Sequence, residues 1–452
     1  MSTTEPLTAP DRPTHQATKP EYRSLLVVIP SRNRSDLASR AIASTLDAPA
    51  SDHVTILVSD NSTDAAEIAT LSAFCQDLKD DRIHYIRPPE PLKMAAHWNW
   101  LFQFALDKFD FSHLTLLADR RIYRRGALHE LCDLTRRYPD TAITTHSDTC
   151  YDDVQPIKLA SKSWSGRLLK VRSEDMLKAN ALAVLEVMVL VPVPFTSIIP
   201  RRLFDQVQQR FGDYCLSVAP DYCFGYRVLD LEDSILLYDK SMSLMLGTGR
   251  SNGMSMMRGT TNKDKADFIA TNGGEEFRYG LTPIPEMITG INGIFQEYNF
   301  IRNQARSGRF PELDLPGYLA NLHSEVTTFF ENPALKEHYL GLLAARGNDK
   351  KAEATAAAVP AAPAPPPIYA RGQLSPRRIA RKLLRAPRRL LRNRPTSKVW
   401  FGLHRVAGLP LPAWIENLGF STVDESIEYF NGKKSQLSNQ LERVLRVEEV
   451  KG

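Results

Sequence analysis

From Ser24 onward, short runs of apolar and β-branched residues alternate with stretches whose apolar positions recur three and four residues apart. The runs Leu25 to Ile29, Val54 to Val58, Arg82 to Ile86, His113 to Leu117 and Thr141 to His146 read as strands. Between them lie helical patterns: Leu37, Ala41, Ile42 and Thr45; Ala65, Ile68, Leu71 and Cys75; a Trp-rich stretch from about His97 to Leu106; and Gly126 to Arg137. Alternation at this spacing predicts an α/β fold, a mostly parallel sheet covered on both faces. Ligands of such sheets sit beyond the carboxyl ends of the strands, so the residues just after each strand are where chemistry is expected.

Farther along, from about Pro283 to Arg346, the pattern is helical, with Met287, Ile291, Phe295 and Tyr298 on one face and a second candidate near Tyr318 to Phe330. Residues Ala352 to Ala370 are rich in Ala and Pro, the composition of a semi-extended linker. The longest apolar run, Ala181 to Ile199, contains Glu186 and is interrupted by Pro192 and Pro194. A spanning helix needs about 20 apolar residues, so this run reads as buried core. The expected organisation is a disordered leader (1–22) with no secretory pattern, the sheet domain (23–260), a helical extension (261–350), the linker (351–370), a basic amphipathic segment (371–395) and a small C-terminal docking region (396–452).

Composition adds two points. With 43% hydrophobic and 24% charged residues over 452 positions, the chain can bury a large core, which excludes wholesale disorder and fibrous repeats. The net charge of +5 is unevenly placed, because Arg371 to Arg394 contains ten Lys and Arg and no acid. Ser375 and Pro376 suit a helix start, and Ile379, Leu383 and Leu384 fall on one face before Pro387, with Leu390 and Leu391 after it. Residues 376–394 are therefore expected on an anionic membrane surface, against a solvated linker as the other reading; with no aromatics for base stacking, no nucleic-acid partner is expected. Five scattered cysteines without C-x-x-C spacing suggest a reducing cytoplasm, with neither a disulfide framework nor structural zinc.

After the first strand comes Pro30-Ser31-Arg32-Asn33-Arg34, and after the second Ser59-Asp60-Asn61-Ser62-Thr63-Asp64. Neither has the glycines of a dinucleotide fingerprint, and no P-loop is present. Asp60 by itself suits a nucleobase N–H or a helix cap equally. The combination of VVIPSRNR, ILVSDNSTD about 25 residues later and LLADRRIYRRGAL after a further strand resembles the glycosyltransferase family 2 pattern of the GT-A fold, over about Ser24 to Gly259. The resemblance implies a nucleotide-sugar donor site built from Pro30, Arg32, Asn33 and Asp60, with Asp60 at the nucleobase, and Lys93 and Asn99 from the segment Lys93 to Trp100 reaching phosphate or ribose, as His97 also could.

The sequence departs from that pattern at the fourth strand, where the family carries two or three acids that bind the ribose and a divalent cation. Here the run is Ala118-Asp119-Arg120-Arg121, leaving Asp119 for the ribose or a metal. Arg120 repels a cation, which disfavours Mg²⁺ or Mn²⁺. Three readings stay open: Arg120 or Arg121 supplies the charge on the diphosphate; the domain binds without turnover; or Arg120, Arg121, Arg124 and Arg125 are a solvated basic helix start.

The resemblance also implies a catalytic base at a helix start after a segment like Pro194 to Val207, which selects Asp221 in Ala219-Pro220-Asp221-Tyr222, a position that equally suits a helix cap. The Gly-rich stretch Gly247 to Gly253 suits a loop closing on the donor or a plain turn, and Met242, Met245, Met254, Met256 and Met257 suit core filling or a lipid-tolerant acceptor site. The expected activity is transfer of a sugar, with inversion, to a glycan or lipid-linked acceptor in polysaccharide or cell-envelope assembly, at the cytoplasmic face of the membrane. The alternative is a non-catalytic, membrane-attached scaffold binding glycan or nucleotide-sugar on the same fold.

Overall fold

The structure is a computed structural model that describes residues 24–49, 52–161, 164–184, 188–260, 262–272, 274–356, 418–433 and 447–450. The leader expected at 1–22 and the basic segment at 371–395 lie outside the described residues, as does most of the linker. The first half of the chain runs β1 (Leu25–Ser31), α1 (Ser35–Ala43), β2 (Val54–Asp60), α2 (Ala65–Asp77), β3 (Ile83–Ile86), α3 (Met94–Lys108), β4 (His113–Leu116), β5 (Arg121–Tyr123), α4 (Ala127–Arg137), β6 (Ile143–Tyr151), β7 (Ile157–Ala160), β8 (Leu168–Arg172), α5 (Ser173–Ala181), β9 (Ser197–Pro200), α6 (Arg201–Phe211) and α7 (Pro220–Leu231). Then follow β10 (Ser234–Met245), α8 (Asn252–Arg258), α9 (Lys263–Thr271), α10 (Gly290–Arg302), α11 (Leu315–Phe329), α12 (Pro333–Ala356), β11 (Leu418–Phe420), α13 (Val423–Gly432) and β12 (Val447–Glu449).

One sheet carries the order β12-β8-β10-β6-β9-β4-β1-β2-β3. β1 pairs in parallel with β2 from Leu25 opposite Val54 to Ser31 opposite Asp60, and with β4 on its other side. The carboxyl ends of β1, β2 and β4 therefore share one edge, as the strand–helix pattern predicts. β9 then runs antiparallel between β4 and β6, and β10 is parallel to β6.

Alternation along β1 sends residues to two cores. Leu26 and Val28 pack with Leu101, Phe102 and Ala105 of α3 and with Phe204 and Phe224, while Leu25, Val27 and Ile29 pack with Ala38, Ala41 and Ile42 of α1 and Leu128 and Leu131 of α4. Each such side chain contributes about 1.5–3 kcal/mol on burial, which fixes the register and with it the shared edge. The apolar run at 181–199 breaks up after α5 and ends in β9, and no helix among the described residues is long and apolar enough to cross a membrane. Phe295, Tyr318, Leu322 and Val326 form a separate helical core with Met287, which lies in the turn before α10.

The start of α10 is capped from below. Glu325 of α11, 1% exposed, accepts from the N–H groups of Gly290 at 3.0 Å and Ile291 at 3.3 Å, and burial pushes its carboxyl up to about 7. A carboxyl raised in the folded state favours folding while protonated, and that contribution is lost as pH climbs from the unfolded value through about 7. The wild-type chain is expected to lose up to about 3 kcal/mol from this residue between pH 5 and 8. Denaturant titrations of wild type and Glu325→Gln at the two pH values check this: the variant shows the smaller loss.

Candidate donor and acceptor site

The loops after β1 and β2 are tied to each other. Asn33 sits at φ 53°, a left-handed conformation that Asn tolerates, and its Oδ1 accepts from the N–H groups of Thr63 at 2.9 Å and Asp64 at 3.1 Å. Its own N–H donates to Ser62 Oγ at 2.8 Å. Pro30 is buried opposite Ser59. Asp60 is fully buried: its Oδ2 accepts from Tyr85 Oη at 2.7 Å, its Oδ1 from the Ser62 N–H at 2.9 Å, and Arg87 lies 3.9 Å away. The helix cap is Asp64, whose Oδ1 takes the Ala66 N–H at 2.8 Å, so the carboxylate of Asp60 shapes the loop.

The segment before α3 joins the same edge. Arg32 Nη1 donates to the Leu92 carbonyl at 2.9 Å, and the side chain of Asn61 bonds both the N–H and the carbonyl of Leu92 at 2.8 Å. Lys93 is exposed at the start of α3. His97 is buried against Ser59 Oγ at 2.7 Å, and burial pulls its pKa down to about 4, so it is neutral at pH 7. Asn99 is not brought to the strand ends in this way; its Oδ1 accepts from the Tyr214 N–H at 2.8 Å and anchors the α6–α7 connection.

At the end of β4, Asp119 is 5% exposed and both its oxygens are engaged: Oδ2 by Ser31 Oγ at 3.2 Å, Oδ1 by Arg34 Nη1 at 3.3 Å. Arg120 is half-buried and its Nη1 lies 3.4 Å from the Leu246 carbonyl. The reading of the arginines as a solvated helix start holds for Arg125, which is exposed just before α4, and fails for Arg121, which opens β5 against β10 and is buried. Its guanidinium lies 4.3 Å from the centre of the Phe195 ring, with Nη1 3.4 Å from Ser243 Oγ, and burial pulls its pKa down to about 10. Arg124 is buried as well and donates to the carbonyls of Phe430 at 2.6 Å and Lys433 at 2.8 Å.

These groups do not fit a divalent cation. The one acid at the end of β4 is held by a guanidinium and a hydroxyl, so a cation would have to displace them.

Asp221 lies in the first turn of α7, behind Pro220. Burial pushes its carboxyl up to about 6; the N–H groups of Tyr222 and of Asp221 itself, and the charge of Arg121, oppose the rise. The electrostatic coupling of Asp221 to Arg121 connects the start of α7 to the arginine run at the end of β4. Three side chains hold the connection that presents Asp221: Asn99, Arg227, which bridges to Asp213 at 2.7 Å, and Glu297. Glu297 of α10 is fully buried and accepts from Ser217 Oγ at 2.5 Å and the Ala219 N–H at 3.0 Å. Burial pushes its carboxyl up to about 7.

The stretch Gly247 to Gly253 is folded: Thr248–Arg250 form a single 3₁₀ turn, and α8 follows. Asp152 accepts from the N–H groups of Gly247 at 2.7 Å and Thr248 at 2.9 Å, while Arg250 donates to Asp36 at 2.8 Å and to the Asn33 carbonyl at 2.9 Å. Gly247 is left-handed at φ 58°, and a Cβ there would stand 2.8 Å from Leu37 and 3.6 Å from Arg120. This turn therefore packs onto the β1 loop and Arg120. Of the methionines around it, Met242, Met254 and Met256 are buried.

Arg34, Arg250 and Glu297 are the polar groups of this region that sequence reasoning missed. The "NR" ending of the first motif held a signal for Arg34; a lone acid on an apolar helix face held one for Glu297.

Residues 26–207 match the family model described as Glycosyl transferase family 2. No curated protein matches the chain. Among solved structures, residues 1–349 of TarS from S. aureus, in complex with UDP-GlcNAc, are 14% identical with a TM-score of 0.40, covering 72% of this chain and 88% of that one. The same TarS fragment without that ligand is 12% identical at a TM-score of 0.38, and TarS in a further structure is 11% identical at 0.38, with 53% of that chain covered. The three strand-end motifs and the parallel edge that gathers them lie within residues 26–207, the part of the chain that is similar to glycosyltransferase family 2.

Proposed function

We propose that the chain transfers a sugar, with inversion and without a metal, from a nucleoside-diphosphate donor to a hydroxyl of a glycan or lipid-linked acceptor. The observation that carries the reading is Asp221, a carboxyl raised to about 6 at a helix start and coupled to the arginine run that ends β4. At pH 7 it is mostly ionised and basic enough to take the acceptor's proton. The acceptor oxygen forms a bond to the anomeric carbon, the bond from that carbon to the donor phosphate breaks, and its electron pair leaves on the diphosphate. Fixed guanidinium charge meets the leaving group, and no reorganisation is needed as the charge develops. Pro30, Arg32, Asn33 and Lys93 line the donor edge, and Asp60 supports the nucleobase end through its loop. Polysaccharide or cell-envelope assembly is the proposed setting by analogy with the family, with residues 376–394 on the anionic inner face of the membrane.

The test is donor binding and hydrolysis against UDP-, GDP- and dTDP-sugars, each with Mn²⁺ and with EDTA. Hydrolysis that persists in EDTA is expected and identifies the donor. Hydrolysis only with Mn²⁺ overturns the metal-free mechanism but keeps the transferase. Binding without turnover in the presence of acceptors favours the scaffold.

A further inference from the structure

A family 2 site with a single acid at the end of β4 must find positive charge for the diphosphate elsewhere. The sequence offers Arg120 and Arg121, but the structure commits Arg121 inward, over the Phe195 ring at 4.3 Å and beside Ser243. The arginine that meets the acid is Arg34, from the loop after β1, 85 residues away. Its Nη1 stands 3.3 Å from Asp119 Oδ1, with the two side chains 15% and 6% exposed.

We propose that Arg34 occupies the place a divalent cation would take on Asp119, neutralising that carboxylate and directing its own charge at the donor's diphosphate. The inference rests on the donor reading above. The geometry supports it in three ways. Both oxygens of Asp119 are engaged, Oδ1 by Arg34 and Oδ2 by Ser31, so a cation would have to displace a guanidinium. A guanidinium stays charged at every working pH. The pair lies where little water reaches, so its field is weakly screened. Arg120 follows Asp119 directly, and Arg250, paired with Asp36, bonds the Asn33 carbonyl beside Arg34.

The experiment is calorimetric titration of the full chain in EDTA with UDP, GDP and dTDP, and with the nucleoside of whichever binds best. Wild type should bind the diphosphate more tightly than the nucleoside, by a ratio that EDTA and Mn²⁺ leave unchanged. The double variant Arg34→Met/Asp119→Asn, which leaves no buried carboxylate unpaired, should lose at least about tenfold more affinity for the diphosphate than for the nucleoside. Arg34→Lys, which keeps the charge but not the fork, should fall between. An unchanged diphosphate-to-nucleoside ratio in the double variant overturns the proposal, as does wild-type diphosphate binding that requires Mn²⁺. Absence of all nucleotide binding to wild type overturns the donor reading first, and this inference with it.

Discussion

Asp221→Asn is expected to lower the rate of sugar transfer by about 10²–10⁴-fold while leaving nucleotide affinity within about twofold. The asparagine keeps the volume and the helix-start geometry but cannot accept a proton, so the loss should fall on kcat and not on donor binding. The pH profile supplies a second readout. With the carboxyl raised to about 6, wild-type activity should be level above pH 7 and fall about tenfold per unit below the apparent pKa. Stability supplies a third, of opposite sign. A carboxyl raised on folding opposes folding when ionised, so Asn, never charged, should stabilise the chain at pH 8 by at most about 3 kcal/mol and have little effect at pH 4. A less active but more heat-resistant protein is the signature of a desolvated catalytic carboxylate. If Asp221→Asn leaves transfer unchanged, Asp221 is not the base.

The strands and helices around the donor edge were legible because their residues repeat in space as they do in sequence. Leu25 to Ile29 alternate between two cores, and the helical spacing in α1, α2 and α4 follows the same rule. What stayed hidden depends on partners far apart in the chain. Asp119 looked like a lone ligand until Arg34 was seen against it. Arg121 and Arg124 looked like a helix start because β5 exists only by pairing with β10, 122 residues on. Glu297 and Glu325 stand in helices whose apolar faces were read correctly. An acid on an apolar face hints that it points inward, but nothing local names the backbone N–H groups it binds. Met287 illustrates the reverse error: its spacing continues the α10 pattern, yet Thr289 caps the helix two residues later.

Removing residues 418–452 should destabilise the whole sheet domain and abolish donor binding, although these residues lie more than 200 positions beyond the family match. β11 adds to β7, β12 adds to β8, and α13 sinks Phe430, fully buried, among Ile122, Cys150, Ile157, Leu159 and Leu244. The carbonyls of Phe430 and Lys433 receive the guanidinium of Arg124, which also lies 4.7 Å from the Phe430 ring and 4.9 Å from Trp164. Without the tail, the Arg124 guanidinium loses those acceptors and the apolar pocket around Phe430 opens to solvent. Phe430→Ala alone should cost about 3–5 kcal/mol by opening a cavity against β5 and β10. Arg124 stands three residues after Arg121, on the same short strand and turn, so loosening it moves the arginines of the donor edge. Denaturant unfolding and UDP titration of the two variants distinguish this from a passive tail: a truncated chain as stable as wild type, binding nucleotide equally well, would show that the donor edge holds itself. The expected coupling makes the C-terminal segment the outer support of a site assembled from the other end of the chain.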